Sequence, residues 1–184
     1  MKKILLHFLI FLSFGGIIAQ SPGQMEYSPD SYFQNELSKF EGFPAPLFKA
    51  PDVEGIIHYL DYYSGHIVIL HFCQIYSEPS VSQIPGLNRI IDEYFDKGVV
   101  ILAFATESIN DIKDFLKTQE VKYPVIPNSM EFSLEHYGGG LGYPRVFVVD
   151  KYGIVQKVTI GSKSGDYMDL YHRLVPVIEE HLKY

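Results

Sequence analysis

Cys73 is the only cysteine of the 184-residue chain, and His71 precedes it by two positions in the apolar run Ile67 to Cys73. In a strand, residues two apart share a face, so an imidazole would stand beside the thiol. That pairing can lower a thiol pKa and support monothiol chemistry, which makes Cys73 a candidate reactive thiol. Unpaired cysteines are also among the most often buried residues, and an inert core thiol is the competing reading. Next along the chain, Tyr76-Ser77-Glu78-Pro79-Ser80 places two hydroxyls three positions apart around a proline. Serine is a favoured helix N-cap and proline suits a first helical turn, so both serines can serve only to hold a helix terminus. As a hydrolase nucleophile Ser77 has neither a Gly-x-Ser-x-Gly elbow nor a base at a recognisable spacing.

Other chemistry finds less support. His66 and His71 are five apart and would point to opposite faces of a strand, and no His-Glu-x-x-His helix occurs among the seven histidines. Gly138-Gly139-Gly140 lacks the Lys-Ser/Thr that completes a phosphate loop. The sequence therefore points to no metal and no cofactor.

Lys2 and Lys3 precede an apolar run from Ile4 to Ile18 that ends at Ala19, the pattern of a secretory signal peptide cleaved after Ala19. The run is short for a membrane span, which needs about 20 apolar residues, so the mature chain is expected to insert in no membrane. The expected location is the periplasm or another exported compartment. Removing residues 1–19 takes away two lysines and no acids, moving the net charge from −7 to −9. An acidic surface argues against nucleic acid as a partner. A single cysteine forbids an intramolecular disulfide, so 14 Tyr and 13 Phe must build a core that needs no bridge. Residues 20–40 are polar, rich in Ser, Pro and Gln, and expected to be poorly ordered. Residues 41–184 suffice for one domain.

The elements that must hold these residues read as α/β. Leu47-Phe48 and Ile56 to Leu60, around Asp52 to Gly55, predict an edge hairpin. Ile67 to Cys73 and Val99 to Phe104 are continuous apolar runs, as expected of central strands covered on both faces. Between them Leu87, Ile90, Ile91, Tyr94 and Phe95 recur at helical spacing, with Pro85 as an expected kink. Ser108 is expected to cap a helix facing inward through Ile109, Ile112, Phe115 and Leu116. Val125-Ile126, Val146 to Val149 and Ile154 to Ile160 supply further strands. A last helix from about Asp166 should bury Leu170, Leu174, Ile178 and Leu182.

Several short motifs fall in a consistent order along this pattern. They are Pro44-Ala45-Pro46, Phe72 ahead of the Tyr76–Ser80 loop, Glu78-Pro79 within it, Lys97-Gly98-Val99, Tyr123-Pro124-Val125, Gly142-Tyr143-Pro144 and Val149-Asp150-Lys151-Tyr152-Gly153. In this order and spacing the chain, from about Phe43 to Leu182, resembles the TlpA/ResA-like thioredoxin-fold family of secreted thiol-disulfide oxidoreductases. The resemblance implies a thioredoxin-like fold: a central mixed β-sheet flanked by helices, with an N-terminal β-hairpin extension. It also implies that Ser77 and Ser80 occupy the attacking and resolving cysteine positions, that Tyr76 replaces a Trp, and that Cys73 lies where a second Trp commonly sits. Tyr143-Pro144 matches the family's cis-proline loop, which lays a peptide alongside the site; Arg145 departs from the usual Thr and would add a cation there. Tyr76, Glu78, Pro79, Tyr143, Pro144 and Arg145 become the expected substrate-binding residues. A serine hydroxyl can neither attack a disulfide nor resolve one at neutral pH, so the implied function is redox-silent binding of an exported protein or peptide. The alternatives are an oxidoreductase seen as a Cys-to-Ser variant, or a monothiol enzyme using Cys73.

Overall fold

The structure is a computed structural model that describes residues 29–162 and 166–183. The expected signal peptide at 1–19, and the first part of the expected unstructured stretch, lie outside the described residues. The rest of that stretch departs from expectation, because Pro29–Ser38 forms a helix, α1. The cause is tertiary. Leu37 is fully buried (0% exposed) in the layer that holds Tyr137 and Phe147. Gln34 Nε2 donates to the carbonyl of Val158 at 2.8 Å, and Glu41 Oε1 accepts the Val158 N–H at 2.9 Å. Both outward backbone groups of an edge-strand residue are thereby taken out of reach of another chain. A short polar helix owes its stability to such docking, which composition does not reveal.

The expected hairpin is present as β1 (Lys49–Pro51) and antiparallel β2 (Ile57–Tyr59), with Ala50 opposite His58. Asp52 Oδ1 accepts the N–H groups of Glu54 and Ile56, each at 2.9 Å. Gly55 supplies the left-handed turn conformation, φ 84°, that a side chain would resist. The Val53 N–H donates to the Val125 carbonyl at 3.0 Å and ties the hairpin to the main sheet.

After β3 (Ile67–Cys73) the chain does not make one kinked helix. It makes a short α2 (Glu78–Val81), a turn, and then α3 (Ile84–Tyr94) with Pro85 in its first turn. Proline has no N–H to give and its ring crowds the preceding turn, so the break falls before it. Then follow β4 (Val99–Ala105), α4 (Ile109–Phe115), β5 (Val125–Ile126), α5 (Met130–His136), β6 (Arg145–Val149), β7 (Val155–Ile160) and α6 (Asp169–Leu182). Ser108 caps α4 as expected, its hydroxyl accepting the Asp111 N–H. No expectation covered α5.

The five-stranded sheet runs β5-β4-β3-β6-β7, with β3, β4 and β5 parallel and β6 and β7 antiparallel to their neighbours. All seven residues of β3 are buried, as a central strand requires. Alternation sends Ile67, Ile69 and Cys73 towards the layer holding Leu87, Ile90, Leu170, Leu174 and Ile178. It sends Val68, Leu70 and Phe72 to the opposite layer with Leu37, Phe104, Tyr137 and Phe147.

Candidate functional site

The loop after β3 and the turn before β6 meet at one end of the sheet. Ser77 occupies the position before α2 in extended conformation, but its hydroxyl makes no capping bond. Its carbonyl instead accepts the N–H groups of Ser80 and Val81, both at 3.0 Å. Ser80 is buried (2% exposed), and its Oγ accepts the Gln74 N–H at 3.2 Å, which fastens the loop from inside. Only one of the two hydroxyls therefore has a bonding role. Glu78 and Pro79 are exposed, and Tyr76 stands out furthest at 75% exposed. Partial burial and the nearby Asp111 and Glu107 carboxylates raise the Tyr76 phenol pKa.

Cys73 is buried at the end of β3. Burial, followed by the Glu107 carboxylate, pushes its pKa up. His71 shares its face, and burial drives the imidazole pKa down to about 4. Gln83 favours the proton weakly, yet neither ring nitrogen of His71 has a hydrogen-bond partner. A neutral imidazole beside a neutral thiol generates no thiolate. His71, Cys73, Ser80 and Tyr123 line a small apolar pocket of about 20 Å³.

The Tyr143–Pro144 peptide is cis. Pro144 is buried, and its carbonyl accepts the Gly161 N–H at 2.9 Å. Tyr143 is half-buried, with its hydroxyl donating to Ser133 Oγ at 2.9 Å. Tyr143 and Pro79 both line an open cleft of about 490 Å³, whose far wall carries the Arg173–Asp169 ion pair (3.0 Å). Among the described residues, no backbone hydrogen bond engages the N–H or C=O of Tyr143.

Arg145 overturns the expectation placed on it. It is 0% exposed, so it offers no cation to the cleft. Arg145 pairs in register with Phe72, and β6 alternation turns it into the layer of Phe72 and Phe147. There Nη1 donates to the carbonyls of Gly139 (3.2 Å) and Gly142, and Nη2 to Ser133 Oγ. Burial lowers the guanidinium pKa, and Tyr143 opposes the shift. Of the expected binding residues, the structure thus brings Pro79 and Tyr143 to one cleft, leaves Tyr76 and Glu78 on the exposed loop, and buries Pro144 and Arg145. Ser133, Asp169 and Arg173 were not anticipated.

The sheet order, the hairpin extension and the loop geometry together define a thioredoxin-like fold. The AhpC/TSA family profile matches residues 42–158. The thiol-disulfide oxidoreductase ResA of Bacillus thuringiensis subsp. konkukian is 30% identical over 141 residues, covering 76% of this chain and 81% of the relative. The ResA of Bacillus cereus is 29% identical over 92% of this chain and 95% of its own. Among solved structures, a thiol:disulfide interchange protein of Chlorobium tepidum TLS superposes with a TM-score of 0.62 at 26% identity, over 76% of this chain and 95% of that one. The chain belongs to the AhpC/TSA family and, within it, to the TlpA/ResA-like thioredoxin-fold proteins.

Proposed function

We propose that this protein is an exported, redox-silent member of its family that binds an extended polypeptide at the cleft beside Tyr143. The reading takes Ser77 and Ser80 as standing where relatives carry their redox cysteines. One buried, protonated thiol cannot cycle between dithiol and disulfide, which supports the loss of exchange chemistry. Export is supported by Lys2-Lys3 and the apolar run that follows.

The observation that carries the binding half is the free backbone edge of Tyr143, next to a cleft and unclaimed among the described residues. Backbone donors and acceptors seek partners, and an extended chain laid alongside supplies them in strand fashion. The test uses a fluorescein-labelled, reduced and alkylated insulin B chain, followed by anisotropy. Binding is expected, and N-methylation of alternate peptide amides should abolish it. Equal binding of the methylated peptide, or no binding of either, defeats the strand-like mode. In parallel the protein should not reduce insulin disulfides above the uncatalysed rate; turnover abolished by Cys73→Ala would return the chemistry to that thiol.

The names of the relatives favour a second reading, a thiol-disulfide oxidoreductase in which both cysteines were exchanged for serine. The genomic coding sequence separates the two, since cysteine codons at 77 and 80 would end the redox-silent reading.

A further inference from the structure

Arg145 is a fully buried guanidinium that takes part in none of the ion pairs among the described residues. Such a cation persists only if dipoles replace the lost water. Its Nη1 and Nη2 donors go to the Gly139 and Gly142 carbonyls and to Ser133 Oγ, while Nε has no hydrogen-bond partner among the described residues. Two rings complete the enclosure, with the guanidinium carbon 4.5 Å from the Tyr143 ring centre and 5.5 Å from that of Phe72.

Every one of these partners except Phe72 lies on α5 or on the turn that ends at Tyr143. That turn holds glycine at 138, 139, 140 and 142, so it has little conformational preference of its own. It is nonetheless pressed against α5: a Cβ at Gly139 would come within 2.7 Å of the Leu134 amide nitrogen. A planar fork can hold two carbonyls and a hydroxyl at once, whereas a lysine ammonium offers one point charge.

We propose that Arg145 is the positioning residue of the binding edge, holding the 139–142 turn so that the Tyr143 backbone faces the cleft. The inference rests on the groove reading given above. It predicts that the turn loosens selectively when the fork is lost, and that affinity falls with it.

The experiment compares the full chain with Arg145→Lys, Arg145→Met and Ser133→Ala, each well below its own Tm. Amide hydrogen exchange of residues 139–143 is read by mass spectrometry, and affinity for the alkylated insulin B chain by anisotropy. Exchange in the turn should quicken on the order of tenfold in both Arg145 variants while α3 and α6 keep their protection. Peptide affinity should drop roughly fivefold or more, a size typical of coupling between neighbouring elements. Ser133→Ala, which keeps the cation, should give a smaller loosening confined to the same turn. Unchanged exchange in the turn, loosening spread evenly over the sheet, or a loosened turn with full affinity would each overturn the proposal. If the wild-type chain ignores the peptide, the groove reading falls and the exchange data alone decide for or against Arg145.

Discussion

A leucine at position 71 should make this protein more stable, and increasingly so as the pH falls. His71 is 1% exposed at the centre of the sheet, and both ring nitrogens lack partners. Burying such unmatched polar atoms costs about 1–3 kcal/mol, so replacement by an apolar side chain of similar size should gain roughly 1 kcal/mol at pH 7, where the imidazole is neutral in folded and unfolded chains alike. Protonation adds a second effect. The folded imidazole titrates near 4 against 6.5 for the free group, because burial disfavours the charge. As the pH drops through that window the unfolded chain takes up a proton that the folded chain refuses, so wild-type stability falls from pH 6.5 down to about 4. The loss approaches about 3 kcal/mol, at about 1.4 kcal/mol per pKa unit. Asp52 behaves separately. Its burial raises the carboxyl pKa, but the His58 ring and the Ile56 and Glu54 N–H groups outweigh this and hold it below 3.8. The stability it contributes is lost only at lower pH still, equally in both proteins, and cancels in their difference. Urea unfolding of wild type and His71→Leu at a series of pH values from 4 to 7 reads the gap directly. It should widen from roughly 1 to about 4 kcal/mol on acidification. Parallel pH profiles would refute the depressed pKa. A less stable variant at pH 7 would show that the ring nitrogens are satisfied after all, for instance through a water in the adjoining pocket of about 20 Å³.

Ser77→Cys with Ser80→Cys should form an intramolecular disulfide on mild oxidation, seen as the loss of two hydrogens by mass spectrometry; failure would mean that the loop does not hold these positions in exchange geometry. Tyr143→Phe keeps the ring over Arg145 but removes the bond to Ser133 Oγ, and should cost about 1 kcal/mol by urea unfolding. An undiminished stability would mean that the hydroxyl is equally well served by solvent. Gln34→Ala with Glu41→Ala uncovers the Val158 backbone on the β7 edge and should raise concentration-dependent association above that of wild type in sedimentation velocity; association equal to wild type would show that this segment guards the edge by bulk alone.

How far the sequence could be read depended on whether a residue's role is local or borrowed from a neighbour. The apolar runs of β3 and β4 carry their structural meaning in themselves, since burial on both faces leaves His71 as the one polar side chain in either strand. The Ser108 cap and the Asp52 turn are likewise written in a few adjacent residues. By contrast α1 is polar and short, and it exists because Val158, more than a hundred residues away in sequence, offers an open edge. Pro85 was legible as a disruption, but whether proline kinks a helix or begins the next one depends on what the chain before it can bond.

Arg145 shows the same limit at the site itself. A cation beside a binding loop reads as a contact for an acidic partner, and only its register opposite Phe72 reveals that it faces inward. A one-residue difference in register reverses the face on which a strand residue projects, so the most consequential charge near the site was the one least open to inspection in the sequence. The reversal also changes the charge on the exposed loop beside the cleft. With its expected cation turned into the core, the exposed loop keeps Glu78, and Asp111 and Glu107 stand close enough to raise the Tyr76 pKa. On the proposed binding reading, a chain laid against this loop would meet Glu78, Asp111 and an exposed phenol ring, while the cleft itself presents the Arg173–Asp169 pair. Arg145 thus serves the interior, where its guanidinium bonds the Gly139 and Gly142 carbonyls, and the charge presented to the cleft is that of the Arg173–Asp169 pair.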